Sequence, residues 1–429
     1  MNKVFNTDSF FAFLLFFSIS MPSFSNSIGN AGVILVNGLI LFLLFFYFFL
    51  KYNYLLKFED SLDKRNALNY IYFISFFVFL MPLSTAIGVF WGGVSVIERD
   101  FYEFYRPVFY SLIFIFSYSF FSKNYRVLLL EKYLFYLFVI IVLFGLNHFF
   151  RMFDSISELY TKPKNISTLR VSTPFVNPYD YAFVMSFFAY YFFFKLMYER
   201  LYYIILFVVA VFMLILPQSR SVAIGFLVGF FFIVPIVLTY LGFTLKTARL
   251  NKKLLFYYFL LFFVFVSFLL SLPYLLEDFK YLTGQFVRLL ENGSVGNSAN
   301  LRMNQFLFAL GKAENNPFIL FFGNGPAKNE MEYVESIYNY LFYRYGIAGV
   351  LFYFFILVVA IIQGFKILKK IGQNSKNYAL FLGVILWFIT IPFLSIGNNF
   401  TEQFRISFFY YTLLGFVASS YYQIVLKKI

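Results

Sequence analysis

Polar and charged side chains gather between Ser298 and Gly349, within a chain that is otherwise strongly apolar. The segment holds two arginines, Arg302 and Arg344, and two carboxylates, Glu332 and Glu335. A guanidinium group can bind phosphate or carboxylate through two parallel hydrogen bonds. A carboxylate at a site of low dielectric can accept a proton. Polar residues collected beside a membrane helix therefore predict a site that binds an anion and removes a proton.

The two carboxylates have helical spacing with Asn339. Glu332, Glu335 and Asn339 lie three and four residues apart, which places them on one face of a helix predicted to start at about Glu332. Two neighbouring carboxylates raise one pKa, which suits a general base. The same pattern also fits a solvated polar face, or a Glu that pairs with a nearby Arg.

Two turns are candidates for substrate contact. Gly323-Asn324-Gly325-Pro326 permits positive φ and close backbone approach, although a simple turn has the same composition and a nucleotide P-loop would need a Lys-Ser/Thr ending. Pro217-Gln218-Ser219-Arg220-Ser221 joins two apolar runs with hardly any loop. Ser219 can cap the following helix, and an Arg at that helix N-terminus favours a bound anion.

No metal site is predicted. His148 is the only histidine, the chain has no cysteine, and no Ser-His-Asp or carboxylate-rich motif is visible. A lone His is most often structural. The absence of cysteine excludes both a disulfide framework and a thiolate metal site.

Composition places the chain among polytopic helical membrane proteins. Of its 429 residues 61% are hydrophobic, 25% aromatic and only 13% charged. Apolar runs of about 20 residues suit membrane-crossing helices, whereas a barrel would alternate with period two. Net charge is +14. We attribute it to basic loops that flank the membrane and to residues that bind an anionic ligand, and we expect no nucleic-acid partner.

Twelve crossings are predicted, which places both termini on the cytoplasmic side. Residues 1–271 hold transmembrane helices 1–9, residues 272–344 form a large periplasmic loop with short helices, and residues 345–429 hold helices 10–12. The predicted spans are 8–25, 31–50, 69–92, 107–123, 132–150, 179–197, 201–217, 222–241, 254–273, 345–364, 378–396 and 405–426. Within the large loop we expect helices at 277–291, 300–313 and from 332 onward.

Arginine and lysine divide unequally between the two sides. The cytoplasmic segments carry 16 Lys and 4 Arg, whereas the outward segments carry 5 Lys and 9 Arg. Because Lys suffices as a topology signal, the outward Arg excess indicates phosphate or carboxylate binding. Snorkelling to lipid headgroups is the alternative for any single Arg. The outward segment from Gly93 to Arg106 has mixed charges that can pair with one another.

These motifs resemble the O-antigen polymerase/ligase superfamily, and most closely the Wzy-type polysaccharide polymerases. The resemblance rests on the Ser219-Arg220 pair, on R-x(8)-G from Arg302, and on N-x-P before the G-x-G turn. It continues with E-S-x-Y-N-Y-L from Glu335 and Y-G-I-x-G at the opening of the next helix. The motifs cover 217–221 and 298–349, and the apolar remainder is not diagnostic.

The resemblance implies a GT-C-like glycosyltransferase in the bacterial inner membrane that needs neither a metal nor another cofactor. It would transfer a glycan from undecaprenyl pyrophosphate to the non-reducing end of a lipid-linked repeat unit, with a chain-length regulator as a further partner. Glu335 would be the base, and Arg302 and Arg220 would hold the pyrophosphate. Substrate contacts are expected from Ser219, Arg170, Gly323, Gly325, Ser336, Tyr338, Asn339 and Arg344.

Two other functions are open. O-antigen ligases of the same superfamily usually carry His-Asn where this chain has Glu335-Ser336, which favours the polymerase. A lipid-linked oligosaccharide flippase would more often place charges in mid-membrane. The sequence does not identify the sugar, the linkage, or a lipopolysaccharide or capsule pathway.

Overall fold

A computed structural model describes residues 7–22, 30–52, 58–101, 103–122, 127–168, 170–244, 263, 297–314 and 316–427. Within these ranges all regular structure is helical and no strand occurs, as the continuous apolar runs predicted. Five of the helices are long and apolar enough to cross a bilayer, and four shorter apolar helices accompany them. The chain is therefore a multi-pass α-helical membrane protein.

The helices are numbered here over the described residues. They are α1 Thr7–Ser20, α2 Asn30–Tyr52, α3 Ser61–Gly92, α4 Glu98–Phe101, α5 Tyr105–Ser122, α6 Val127–Phe150, α7 Asp154–Glu158, α8 Pro163–Ser167, α9 Pro178–Tyr198, α10 Tyr203–Ile215, α11 Arg220–Val228, α12 Val234–Thr244, α13 Asn297–Glu314, α14 Pro317–Phe322, α15 Ile337–Ile371, α16 Tyr378–Leu394 and α17 Phe404–Tyr421. A π-helical segment, Gly229–Ile233, joins α11 to α12, and another, Tyr422–Leu426, follows α17.

Helices occupy eleven of the twelve predicted spans. The predicted span 254–273 and the predicted loop helix 277–291 lie outside the described residues, so the count of twelve crossings stays a prediction. The loop helix predicted at 300–313 is confirmed as α13. The helix predicted from Glu332 is wrong in its start, because residues 331–336 are non-helical and α15 begins at Ile337.

Helix α9 lies at the centre of the bundle. Almost every residue from Pro178 to Leu196 is buried, which explains why this helix is apolar on all sides. Trp387 of α16 packs against it, with its ring 5.2 Å from that of Phe183. The indole N–H donates to Ser186 Oγ at 3.2 Å, so the one polar atom of this buried ring is satisfied.

The connecting segments meet at two opposite ends of the bundle. At one of them, which we call the loop end, residues 92–106, 297–336 and 395–404 contact one another through side chains and backbone. The other end holds Glu131, Lys195 and Glu199, where the ammonium lies 2.9 Å and 2.7 Å from the two carboxylates. The candidate residues all belong to the loop end.

Candidate functional site

A pair of opposite charges joins α13 to the segment that precedes α15. Nη2 of Arg302 lies 3.0 Å from Oε2 of Glu335, and the two side chains are 28% and 35% exposed. Ser298, one helical turn before Arg302, has its Oγ 3.5 Å from the same carboxylate oxygen. The pair is therefore formed, yet still open to a ligand from one side.

Gln305 fixes the segment that carries Glu335. Its Oε1 accepts the backbone N–H of Glu335 at 3.2 Å, and its Nε2 donates to the Tyr333 carbonyl at 2.8 Å. The Gln305 side chain lies on the same face of α13 as Arg302 and is buried. It therefore holds the carboxylate-bearing backbone at a set distance from the guanidinium.

Gln305→Ala is expected to loosen this segment while leaving the bundle intact. Two hydrogen bonds are lost, each with a net value of about 1 kcal/mol, and residues 333–335 have no helical bonds to replace them. Amide hydrogen exchange at 333–336 should accelerate, whereas exchange in α9 should not. Asn304→Ala, at the exposed neighbouring position, is the control. Unchanged exchange in Gln305→Ala would contradict this role.

The start of α15 is tied to the same site. Asn339 donates from Nδ2 to the Arg302 carbonyl at 2.8 Å, and Tyr338 donates from its hydroxyl to the Pro392 carbonyl at 2.9 Å. Ser336 is the N-cap residue, although its side chain makes no capping hydrogen bond within the described chain. Asn339 and Tyr338 thus position the site from behind, and Ser336 leaves its hydroxyl uncommitted to the helix.

The hairpin between α10 and α11 lies beside this pair. A Cβ on Gly397 would overlap Ser221 and would come within 3.6 Å of Arg302 Nη2, so only a glycine backbone separates the hairpin from the guanidinium. Arg170 reaches the same hairpin, where its Nε donates to the Pro217 carbonyl at 3.4 Å. The structure therefore brings Arg170, Arg302 and the hairpin to one place.

The hairpin backbone is held in an unusual conformation. Gln218 is buried and has φ of 53°, a region that costs a non-glycine residue about 1 kcal/mol or more. Ser219 is the N-cap of α11 by position, but its side chain makes no capping bond among the described residues, so the predicted cap is not formed. Arg220 is half-buried and is the first residue of α11.

Gly323 and Gly325 are buried and serve close packing between segments. Both have positive φ, 76° and 71°. The N–H of Gly325 donates to the Arg344 carbonyl at 2.9 Å, and Asn324 donates to Tyr343 in the same way. A Cβ on Gly323 would overlap the backbone of α15. This turn anchors the large loop to α15, and a contact with substrate remains a prediction.

Gly325→Ala is expected to destabilise the protein by several kcal/mol. The added Cβ would lie 2.6 Å from Thr85 Cα, and φ of 71° adds about 1–2 kcal/mol of strain. Thermal denaturation in detergent measures the effect. Gly311→Ala is a matched control, since Gly311 lies within α13 with no atom within 4 Å of the added Cβ. That change should stabilise α13 by about 1 kcal/mol.

Five charged side chains form a second group, which we call the charge cluster. Its members come from α15 and from the three segments of the loop end: Glu103, Arg106, Lys328, Arg344 and Glu402. Arg344 is fully buried, with Nη1 3.2 Å from Glu402 Oε1 and 3.7 Å from Glu103 Oε2. Its guanidinium also lies over the Tyr340 ring at 4.6 Å. Arg344 is thus directed to protein carboxylates.

Glu103 is the centre of the charge cluster. Nη1 of Arg106 lies 2.7 Å from Glu103 Oε2, and Lys328 of the large loop also forms an ion pair with Glu103. Burial alone would raise the pKa of Glu103, but Arg106 and the two other cations outweigh it and lower that pKa from its ordinary 4.5. The sequence indicated that charges within 93–106 can pair with one another, as Arg106 and Glu103 do. It did not indicate that this segment binds the large loop.

Most of the arginines predicted to face outward make structural contacts. Arg99 pairs with Glu332 at the surface, and Arg151 donates to the Ile166 carbonyl at 2.9 Å. Arg405 is buried and donates to the carbonyls of Pro174 and Met21. The Arg excess therefore reflects in large part the tying together of loops, and Arg288 lies outside the described residues.

A metal centre is not among the features of the described chain. Within those ranges no three His, Asp or Glu side chains come together as ligands. His148 is buried at the end of α6, where Nδ1 accepts the Ser172 N–H at 3.4 Å. This contact ties Ser172 to the end of α6, and the structural role of the lone histidine stays a prediction.

Comparison with known protein families gives no match for this chain, and comparison with curated proteins gives none. The function must therefore be argued from the geometry of the loop end.

Proposed function

We propose that the protein is a polysaccharide polymerase of the bacterial inner membrane, with both termini in the cytoplasm. It transfers a glycan from undecaprenyl pyrophosphate to the non-reducing end of another lipid-linked repeat unit, without a metal or nucleotide. The observation that carries the proposal is the Arg302–Glu335 pair beside the Ser219–Ser221 hairpin. Arg302 and Glu335 lie about 80 and 115 positions after Arg220 in the sequence. Their guanidinium and carboxylate nevertheless meet beside the N-terminus of α11.

For the reaction, Arg302 must bind the donor pyrophosphate and Glu335 must accept a proton, so the ion pair between them must open. The Arg302 guanidinium engages the Glu335 carboxylate, with 3.0 Å between Nη2 and Oε2. A donor pyrophosphate carries more negative charge than Glu335 and can take both N–H groups of Arg302. Donor binding would thus release Glu335 from Arg302, and its carboxylate would then be available to accept a proton.

In the transfer step Glu335 accepts the proton of an acceptor hydroxyl, whose oxygen forms a bond to the anomeric carbon of the donor. The bond between that carbon and the phosphate oxygen breaks, and the electron pair leaves with undecaprenyl pyrophosphate. Arg302 and Arg220 stabilise the charge that grows on the leaving group. Arg170, held against Pro217, assists from the hairpin side.

Several predicted contacts act through position in this proposal. Asn339 and Tyr338 fix the start of α15, and the Gly323–Gly325 turn fixes the loop against it. Arg344 holds the same helix through the charge cluster. Ser336, whose hydroxyl lies next to Glu335 in sequence, contacts the acceptor glycan.

The test is purified protein in lipid nanodiscs with a defined undecaprenyl-pyrophosphate-linked repeat unit, a chelator and no nucleotide sugar. We expect a ladder of lipid-linked products and release of undecaprenyl pyrophosphate. Transfer only to an added lipid A-core acceptor would indicate a ligase instead. Movement of the lipid-linked glycan across the bilayer without new glycosidic bonds would indicate a flippase. Either result overturns the polymerase.

A further inference from the structure

Four exposed aromatic side chains lie at the end of α3 and on the adjoining helix α14. They are Phe90, Trp91, Phe318 and Phe321, and we call them the aromatic rim. Each is at least 50% exposed, and the rings of Trp91 and Phe318 stack with centroids 5.1 Å apart. Isolated apolar residues at a surface are ordinary, but four large rings on two adjoining helices are not.

Both ends of α14 are fixed, and this fixes which side of the helix faces outward. Asn316 caps the helix by accepting the Phe318 N–H at 2.9 Å, Pro317 begins it, and Gly323 ends it with φ of 76°. Its buried side is Ile319, which packs against Ile87 and Ala313. This short helix is fixed at both ends and by one inward side chain, so that Phe318 and Phe321 point away from the protein.

The rim continues the membrane-facing surface of α3. Phe79, Leu83 and Phe90 are exposed, and spacings of four and seven residues place them on one stripe of this spanning helix. Immediately past Trp91 the polar contacts begin, since Lys312 donates to the Gly92 carbonyl at 3.0 Å and reaches Glu330 at 2.8 Å. The rim therefore lies at the boundary between an apolar and a polar layer.

Aromatic side chains at such a boundary are typical of the membrane–water interface, where the ring contacts acyl chains and the polar edge remains wet. We propose that the aromatic rim inserts into the lipid leaflet next to the loop end and fixes α14 at the headgroup layer. Because α14 follows α13 almost directly, the helix that carries Arg302 would be held at the same level. This inference does not depend on the proposed glycosyl transfer.

Native fluorescence tests the insertion. The chain has two tryptophans, and Trp387 is fully buried, so quenching by external agents reports on Trp91. The full-length protein is placed in vesicles of phosphatidylcholine brominated near the headgroup end of the acyl chains. We expect strong quenching by these lipids, little by aqueous iodide, and loss of most lipid quenching in Trp91→Phe. Quenching by iodide and not by the brominated lipid would overturn the inference, as would protection from both agents.

Single-cysteine labelling gives an independent measurement, because the chain contains no cysteine. A nitroxide at Phe321→Cys should collide with oxygen more often than with a water-soluble nickel complex. Phe79→Cys on the membrane-facing stripe is the lipid control, and Asn329→Cys in the exposed part of the large loop is the water control. A Phe321 label that behaves like the Asn329 label would overturn the inference, even if Trp91 alone were shielded.

Discussion

Glu335→Gln is expected to lower the rate of polymer formation by about 10²–10⁴-fold, the usual contribution of a general base. Glutamine keeps the size of the side chain and can still contact Ser298 and Arg302, so the fold should persist. The chemical change is the loss of the proton acceptor. The measurement is the rate at which undecaprenyl pyrophosphate is released from the lipid-linked repeat unit in nanodiscs, compared between the variant and the unmodified protein.

The chain contains a matched control three residues earlier. Glu332 also pairs with an arginine, Arg99, but those side chains are 44% and 56% exposed and lie at the surface. Exposed ion pairs contribute about 0–1 kcal/mol, so Glu332→Gln should keep near-normal activity and stability. Equal losses in the two variants, or full activity in Glu335→Gln, would contradict the assignment of the base.

Arg302→Lys should mainly weaken donor binding, because an ammonium cannot make the paired contacts of a guanidinium.

The membrane helices were predictable because lipid imposes a length and an apolar composition that are local properties of the sequence. The start of α15 was not. Glu332 and Glu335 have helical spacing, but their side chains pair with arginines from different elements, and Gln305 takes the N–H of Glu335. Tertiary hydrogen bonds there replace those of a helix, and spacing alone does not contain that information.

The binding partners of the arginines predicted to face outward also could not be predicted from the sequence. The sequence predicts which side they occupy but not whether a ligand or a protein carboxylate binds them. The partners of Arg344 are Glu103 and Glu402, which lie hundreds of residues apart from each other in the chain. The Arg302–Glu335 pairing was one of the readings that the sequence allowed, and the approach of Ser221 to Gly397 was not visible in it.

Glu103→Gln is expected to destabilise the loop end by about 3–5 kcal/mol, the usual cost of leaving buried charges without a partner. In the unmodified protein three cations face two carboxylates; in the variant the same three would face Glu402 alone. Because Arg344 and Lys328 belong to different segments, repulsion between them should loosen the large loop beyond the Gly323–Gly325 turn, which backbone hydrogen bonds still hold to α15. Limited proteolysis within 326–336, together with the thermal midpoint in detergent, measures this loss, and Glu332→Gln again serves as the exposed control.

Acidification should reproduce the same loss in the unmodified protein, and the sign follows from the lowered pKa of Glu103. A carboxyl whose pKa is lower in the folded state contributes stability above its unfolded value, near 4.5, and that contribution is lost as the pH falls through the folded value. Stability should therefore decline below about pH 4.5 in the unmodified protein and decline less steeply in Glu103→Gln. Parallel acid curves for the two proteins would show that Glu103 does not join the loop to the bundle. The Arg302–Glu335 pair would then depend for its position on Gln305, Asn339 and the Gly323–Gly325 turn, without help from the charge cluster.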